Sequence, residues 1–231
     1  MSLSPEEIDI VLLSLKVAFW SMVLTLPVAI ALAWLLSRRN FYGKTLLDGI
    51  VHLPLVLPPV VVGYALLLAF GRNGPIGRLL ESWFGVTVAF TWEGAAIAAA
   101  VMGLPLAVRA MRLSFDAIDR KLEQAARTLG GTPWQTFVSV TLPLALPGIV
   151  AGLVLSFARG LGEFGATITF VSNIPGETRT LPLAVHSYLQ VPGSEEPALR
   201  LAVLSVIVAL GALLAAEYVN RALARRLGVS K

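Results

Sequence analysis

The chain has 231 residues, of which 56% are hydrophobic and only 14% charged, with a mean hydropathy of +0.79. Soluble domains carry about a quarter charged residues; here the apolar residues also lie in long blocks, which marks an integral membrane protein. With no cysteine and only His52 and His186, thiol chemistry and disulfides are excluded and no metal or cofactor site is expected; the net charge of +4 matters less than where the basic residues sit.

The N-terminal MSLSPEEID is acidic and lacks the basic start of a cleaved signal peptide. Hydropathy predicts five spans, at 10–36, 46–70, 94–113, 144–164 and 199–219, each near the roughly 20 helical residues that cross a hydrocarbon core. The expected fold class is all-α integral membrane. With no internal repeat of the kind a duplicated transporter carries, 1–231 reads as a single transmembrane domain.

Span one carries Lys16 near one end, expected to snorkel toward the interface, and is followed by SRRNFYGK with Arg38, Arg39 and Lys44. Span two contains Pro54, Pro58 and Pro59, which remove backbone donors and free carbonyls, and Gly63, which adds flexibility. Two readings stay open for it: a kinked, packed helix, or a helix lining a path. The segment GRNGPIGR beyond it holds Arg72 and Arg78, read as solvated loop charges or, alternatively, as contacts for an anion-loaded partner. Span three is rich in alanine (Ala95, Ala96, Ala98, Ala99, Ala100), which predicts close packing against its neighbours.

The loop at about 114–143 is more heavily punctuated than a connection requires. Leu122, Ala125, Ala126 and Leu129 recur at i, i+3, i+4 and i+7, one small apolar face of a helix whose other positions hold Arg120, Lys121, Gln124 and Arg127. Gly130 ends that helix. Thr132 then caps a second one, with Pro133 first in the helix, Gln135 completing a capping box, and Trp134, Phe137 and Val138 on its apolar face. Leu142-Pro143 is expected to break this second helix before the chain re-enters the membrane. Such a pair of capped helices fits a docking element for a soluble partner better than a passive connection.

In span four Arg159 and Glu163 are four residues apart, able to pair on one helix face. They are read either as a neutralised structural pair near the interface or as a gate beside Gly160, Gly162 and Gly165. The segment 165–198 has four prolines and is too broken for a sixth span; it predicts a partly embedded loop with a short helix around 183–189. Basic residues collect after span one, around the third and in the tail (Arg221, Arg225, Arg226, Lys231), which places the N-terminus outside and the C-terminus in the cytoplasm.

The stretch EQAARTLGGTPWQTFVSVTLP (123–143) resembles the coupling loop of ABC importer permeases, whose pattern is Glu-Ala-Ala, three residues, Gly, nine residues, then Ile-x-Leu-Pro. Ala125, Ala126, Gly130 and Leu142-Pro143 keep that spacing; Gln124 stands at the Glu position, with Glu123 just before it, and Val140 at the Ile. The wider chain, through HLPLVLPPVVVGYALL (52–67) and FARGLGEFGATITFVSNIPGETRTLPLA (157–184), is similar to the molybdate branch of that superfamily, with sulfate/thiosulfate permeases sharing the LGEFGA core.

The resemblance implies a type I ABC importer permease in the cell inner membrane. Cytoplasmic ATPase subunits would grip Leu122, Glu123, Gln124, Ala125, Ala126, Leu129, Gly130, Trp134 and Pro143. A periplasmic or surface substrate-binding protein would deliver the oxyanion, molybdate or tungstate. Pro58, Pro59, Gly63, Arg159, Glu163 and Gly165 are the expected path or gate. Five spans are few to enclose a gated path, so a homodimer is expected, with lipid around it and no nucleic-acid partner. The chain has no GxxxxGK[ST] loop and so hydrolyses nothing itself. An ion-coupled secondary transporter and a membrane enzyme are the rival readings.

Overall fold

A computed structural model describes residues 4–226, all of whose regular elements are helical; Met1–Leu3 and the tail end with Lys231 lie outside the described residues. Helix α1 (Pro5–Arg38) starts from a capping box on Ser4, whose hydroxyl accepts from Glu7 N while Glu7 accepts from Ser4 N. It ends at Arg39, beside the start of α2 (Lys44–Val56). Chain then follows through α3 (Pro59–Phe70), α4 (Pro75–Phe84), α5 (Trp92–Ala117), α6 (Arg120–Thr128) and α7 (Pro133–Thr136). A π turn, Phe137–Thr141, joins α7 to α8 (Leu142–Leu161), and α9 (Gly165–Val171), α10 (Leu181–Leu189) and α11 (Glu195–Arg226) complete the described chain.

Four helical stretches are long and apolar enough to cross a membrane, and α2 with α3 makes a fifth if that bent pair counts as one span. The predicted second span is therefore corrected in shape: it bends by 115° and is not one kinked helix. The cause is local. Leu57 precedes one proline and Pro58 another, so both take extended backbone (ψ 144 and 132) and neither Pro58 nor Pro59 can donate across the gap.

Two further boundaries move. Span four stops at Leu161, and Gly162, Glu163 and Phe164 lead into the separate short helix α9, in a segment whose prolines predict a loop. Conversely Leu142-Pro143 breaks nothing: Pro133–Leu161 runs as one helical stretch. The π turn absorbs the proline, because Leu142 N reaches back five residues to Phe137 O and the widened turn tolerates a ring without an N–H. The short helix expected around 183–189 is present as α10. The amphipathic α4 was not anticipated, although Pro75 in its first turn and Gly85 in the left-handed conformation after it are ordinary start and stop signals.

Helix α5 is the centre of the bundle: 67% of its span is buried, against 11% for α11. Its alanines do what their size predicts, with Ala95, Ala98, Ala99 and Ala107 wholly buried. One apolar cluster joins α1, α3, α5 and α9 around Met102 and Phe170; a second joins α1, α2, α5 and α8 around Leu36, Met111 and Phe115. A third, Ile10, Leu181, Ala184 and Leu201, ties α10 and α11 to the start of α1, where Arg200 also meets buried Glu7 at 3.0 Å. Lys16 places its ammonium 3.5 Å from the centroid of the Trp92 ring, a cation–π contact.

Candidate functional site

The hairpin formed by α6 and α7 lies at the opposite end of α1 from the N-terminus. Asp119 caps α6 by accepting from Lys121 N at 2.9 Å. At the far end Gly130 has φ +90, and Gly130 N and Gly131 N donate to Arg127 O (3.0 Å) and Ala126 O (3.1 Å), a Schellman closure. The double glycine is needed twice over. Gly130 supplies the left-handed backbone, and a Cβ on Gly131 would stand 2.8 Å from Ala126 O. Thr132 then starts α7 with the expected capping box, its N donating to Gln135 Oε1 at 2.9 Å and its hydroxyl accepting from Gln135 N at 3.3 Å.

The sequence-predicted docking residues divide between two faces. Leu122 (49% exposed), Leu129 (89%) and Ala125 form an apolar face turned outward, with Ala126 half-buried at its edge. Trp134 is 72% exposed and stacks on Phe137 with ring centroids 5.8 Å apart. Gln124 is also exposed, whereas Glu123 turns inward. Its Oε1 meets Arg38 Nη2 at 3.2 Å and accepts from Thr141 Oγ1 at 2.8 Å. Glu123 thus joins the surface helix to the end of α1 and to the π turn that opens α8, where Pro143 sits. Arg38 in addition donates to Ile118 O at 3.3 Å. Arg38 and Thr141 were not singled out from sequence; Arg38 entered only as a topological charge.

The predicted path residues come together elsewhere. Pro58 and Pro59 start α3, and Gly165 starts α9. A Cβ on Gly165 would lie 2.7 Å from Pro59 Cβ, and one on Gly63 would lie 2.5 Å from Ala166 O, so α3 and α9 cross backbone to backbone. Glu163, 2% exposed, accepts from Ala166 N at 2.8 Å and pairs with Arg159, its Oε2 at 2.5 Å from Nη1. The pair survives the end of α8 between its members, because Gly162 turns the chain back over the last helical turn. A single connected unit therefore links the end of α8, the start of α9 and the bent α2–α3 segment. The 20 residues of α8, about 30 Å at 1.5 Å each, separate this unit from the hairpin.

Residues 25–228 match the family model described as "Binding-protein-dependent transport system inner membrane component". The molybdenum transport system permease protein ModB of Haemophilus influenzae is 58% identical over 96% of this chain and 97% of its own. ModB of Escherichia coli K12 is 57% identical over 99% and 100%. A sulfate transport system permease protein, CysT of the same strain, is 37% identical over 91% of this chain and 75% of its own. Among solved structures, a bacterial ABC transporter that imports the acidic polysaccharide alginate shares the fold, with a TM-score of 0.73 at 20% identity over 95% of this chain and 80% of that one. The bent second span, the outward hairpin and the match across nearly the whole chain lead to one statement of kinship: the chain belongs to the family of inner-membrane components of binding-protein-dependent transport systems.

Proposed function

We propose that this chain is the permease subunit of an ATP-driven importer for molybdate, with tungstate as an equally shaped passenger, working as a homodimer in the inner membrane. It is one transmembrane domain with the N-terminus outside and the C-terminus in the cytoplasm, so the α6–α7 hairpin of each copy meets one of two cytoplasmic ATPase subunits. A periplasmic or surface-anchored binding protein delivers the oxyanion to the other end. The observation that carries the coupling role is the apolar face of Leu122, Ala125 and Leu129, projecting from a doubly capped helix while Glu123 behind it is fastened to α1 and α8. The charge distribution supports the orientation, and the high identity to proteins named for molybdenum transport supports the passenger.

In this reading, closure of the ATPase dimer on nucleotide displaces α6. The Glu123–Arg38 and Glu123–Thr141 contacts pass that displacement to α1 and to α8, which is helical from the π turn to Leu161. At its far end α8 carries Arg159, and through Glu163 and the close α9–α3 crossing the bent second span moves with it. The path needs no permanent tight anion site; Glu163 would repel a dianion, and weak passage suits release.

The test is reconstitution of the permease with its ATPase and binding protein. Molybdate-loaded binding protein should stimulate ATP hydrolysis and uptake more than sulfate-loaded protein does. Equal stimulation by sulfate would favour the second reading, a sulfate permease, which the 37% identity to a sulfate relative supports.

A further inference from the structure

A cavity of about 780 Å³ opens between the second half of α1, the inner face of α6 and the start of the α7–α8 stretch. Its two walls differ. Pro27, Ile30, Ala31 and Trp34 on α1, with Phe137 opposite, make one wall apolar. The other end carries Arg38, Arg39, Arg120 and Arg127 against a single carboxylate, Glu123, which Arg38 already neutralises. Pro27 to Arg38 is about 16 Å of helix, so the cavity runs from apolar depth to the charged end of the span.

Two buried polar atoms in its lining have no partner: Arg38 Nε and Thr136 Oγ1. Arg38 as a whole is held in place, its side chain only 8% exposed. Neither atom opens to the cavity; what faces it is the guanidinium cluster of Arg39, Arg120 and Arg127, with no carboxylate but the already paired Glu123, and such a cluster calls for an anion. The apolar wall continues an exposed stripe of α1 that includes Trp20, Leu24 and Val28, a surface lipid tails would touch. Arg39 lies over the Trp34 ring at 5.8 Å, and Trp134 stacks on Phe137, the aromatic and basic mixture found at the level of headgroups.

We infer that this cavity binds an anionic phospholipid from the leaflet at the α6 end, its phosphate held by Arg39, Arg120 and Arg127, and an acyl chain along Pro27–Trp34. Basic pockets between spanning helices take such headgroups. The Leu122–Ala125–Leu129 face of α6 lies outside the cavity and stays free for a docked partner, while Gln124 and Trp134 line the cavity and border both. The bound lipid makes the position of the hairpin depend on membrane charge.

The experiment uses the permease, alone and with its co-expressed ATPase, in phosphatidylcholine nanodiscs with and without phosphatidylglycerol, and weighs retained lipid by native mass spectrometry. Selective retention of phosphatidylglycerol in both preparations is expected. Each of Arg39→Gln, Arg120→Gln and Arg127→Gln should weaken it about fivefold, the effect of roughly one surface charge on anionic lipid. A thermal melt checks that each variant is folded, and Lys44→Gln, beyond the cavity, should retain lipid normally. Equal retention of phosphatidylcholine, a folded triple variant that binds phosphatidylglycerol as before, or retention lost whenever the ATPase is present would overturn the site. Displacement by inorganic phosphate at low concentration would do the same, since the occupant would then be a free anion.

Discussion

Glu123 ties a surface helix to two long apolar ones, α1 and α8, and its replacement separates coupling from folding. Its partner Arg38 is 8% exposed and Glu123 18%, so both sit largely out of water. Glu123→Ala leaves a buried guanidinium without its counter-charge, which costs about 3 kcal/mol where burial is complete and less here. Glu123→Gln keeps an acceptor for Thr141 and loses less. The expected order of thermal stability in detergent is wild type, then Gln, then Ala, with ATP-driven uptake falling in the same order; an Ala variant that transports normally would remove Glu123 from the relay. At Gly130 the backbone sets the outcome. Alanine at φ +90 costs about 1 kcal/mol, whereas Gly130→Pro cannot adopt that conformation at all and should abolish uptake and binding of the ATPase in a pull-down, while a near-normal thermal melt shows that the spans stay folded. The caps, the glycine pair and the outward apolar face were legible in the sequence because each is set by neighbours within a few positions. The Glu123–Arg38–Thr141 contacts were not, since residues far apart in the chain meet only after α1, α6 and α8 have packed.

Between elements, the decisive feature is the approach of α3 to α9, where glycine replaces any side chain that would hold the backbones apart. Gly63→Ala would put a methyl group 2.5 Å from a backbone carbonyl, which cannot retreat as a side-chain tip can. The cost should be about 1–3 kcal/mol, as for other overpacked contacts, read as a lowered melting temperature. Gly49→Ala, with nothing nearby, should not destabilise the chain. Equal melting temperatures for the two variants would mean the crossing is looser than its geometry. Hydropathy located four spans among the described residues, and a fifth if the bent α2–α3 pair counts as one, but misjudged two of their shapes. Prolines report lost hydrogen bonds but not the angle that results: consecutive Pro58 and Pro59 turn the chain through 115°, while Pro143 beside a π turn bends it hardly enough to interrupt the helix. Helix α9 escaped notice because seven residues are too few for a periodic pattern.

For the molecule as a whole, the bent segment argues for a second copy. Helix α3 has 12 residues, about 18 Å, too short to span a 30 Å hydrocarbon core alone. Its start follows a break that leaves carbonyls without intrahelical donors, and such backbone survives at membrane depth only when covered by protein or when lining a wet path. Yet Val60, Tyr64 and Leu68, one face of α3 at a spacing of four, are each more than half exposed in the single chain. A two-fold axis beside that face would provide the cover and would leave the prolines and Gly63 next to the proposed shared path, because an isologous contact brings a residue at the axis against its own counterpart. The absence of cysteine gives a clean background for testing this. Single cysteines at Val60, Tyr64 and Leu68 should include one that forms a disulfide-linked dimer in the membrane, which requires Cα atoms within about 7 Å. Cysteine at Leu24 or Val28, on the lipid-facing stripe of α1, should not. If the α1 positions cross-link and none on α3 does, the axis lies beside the first span, and the exposed face of α3 must be covered by something other than its own copy.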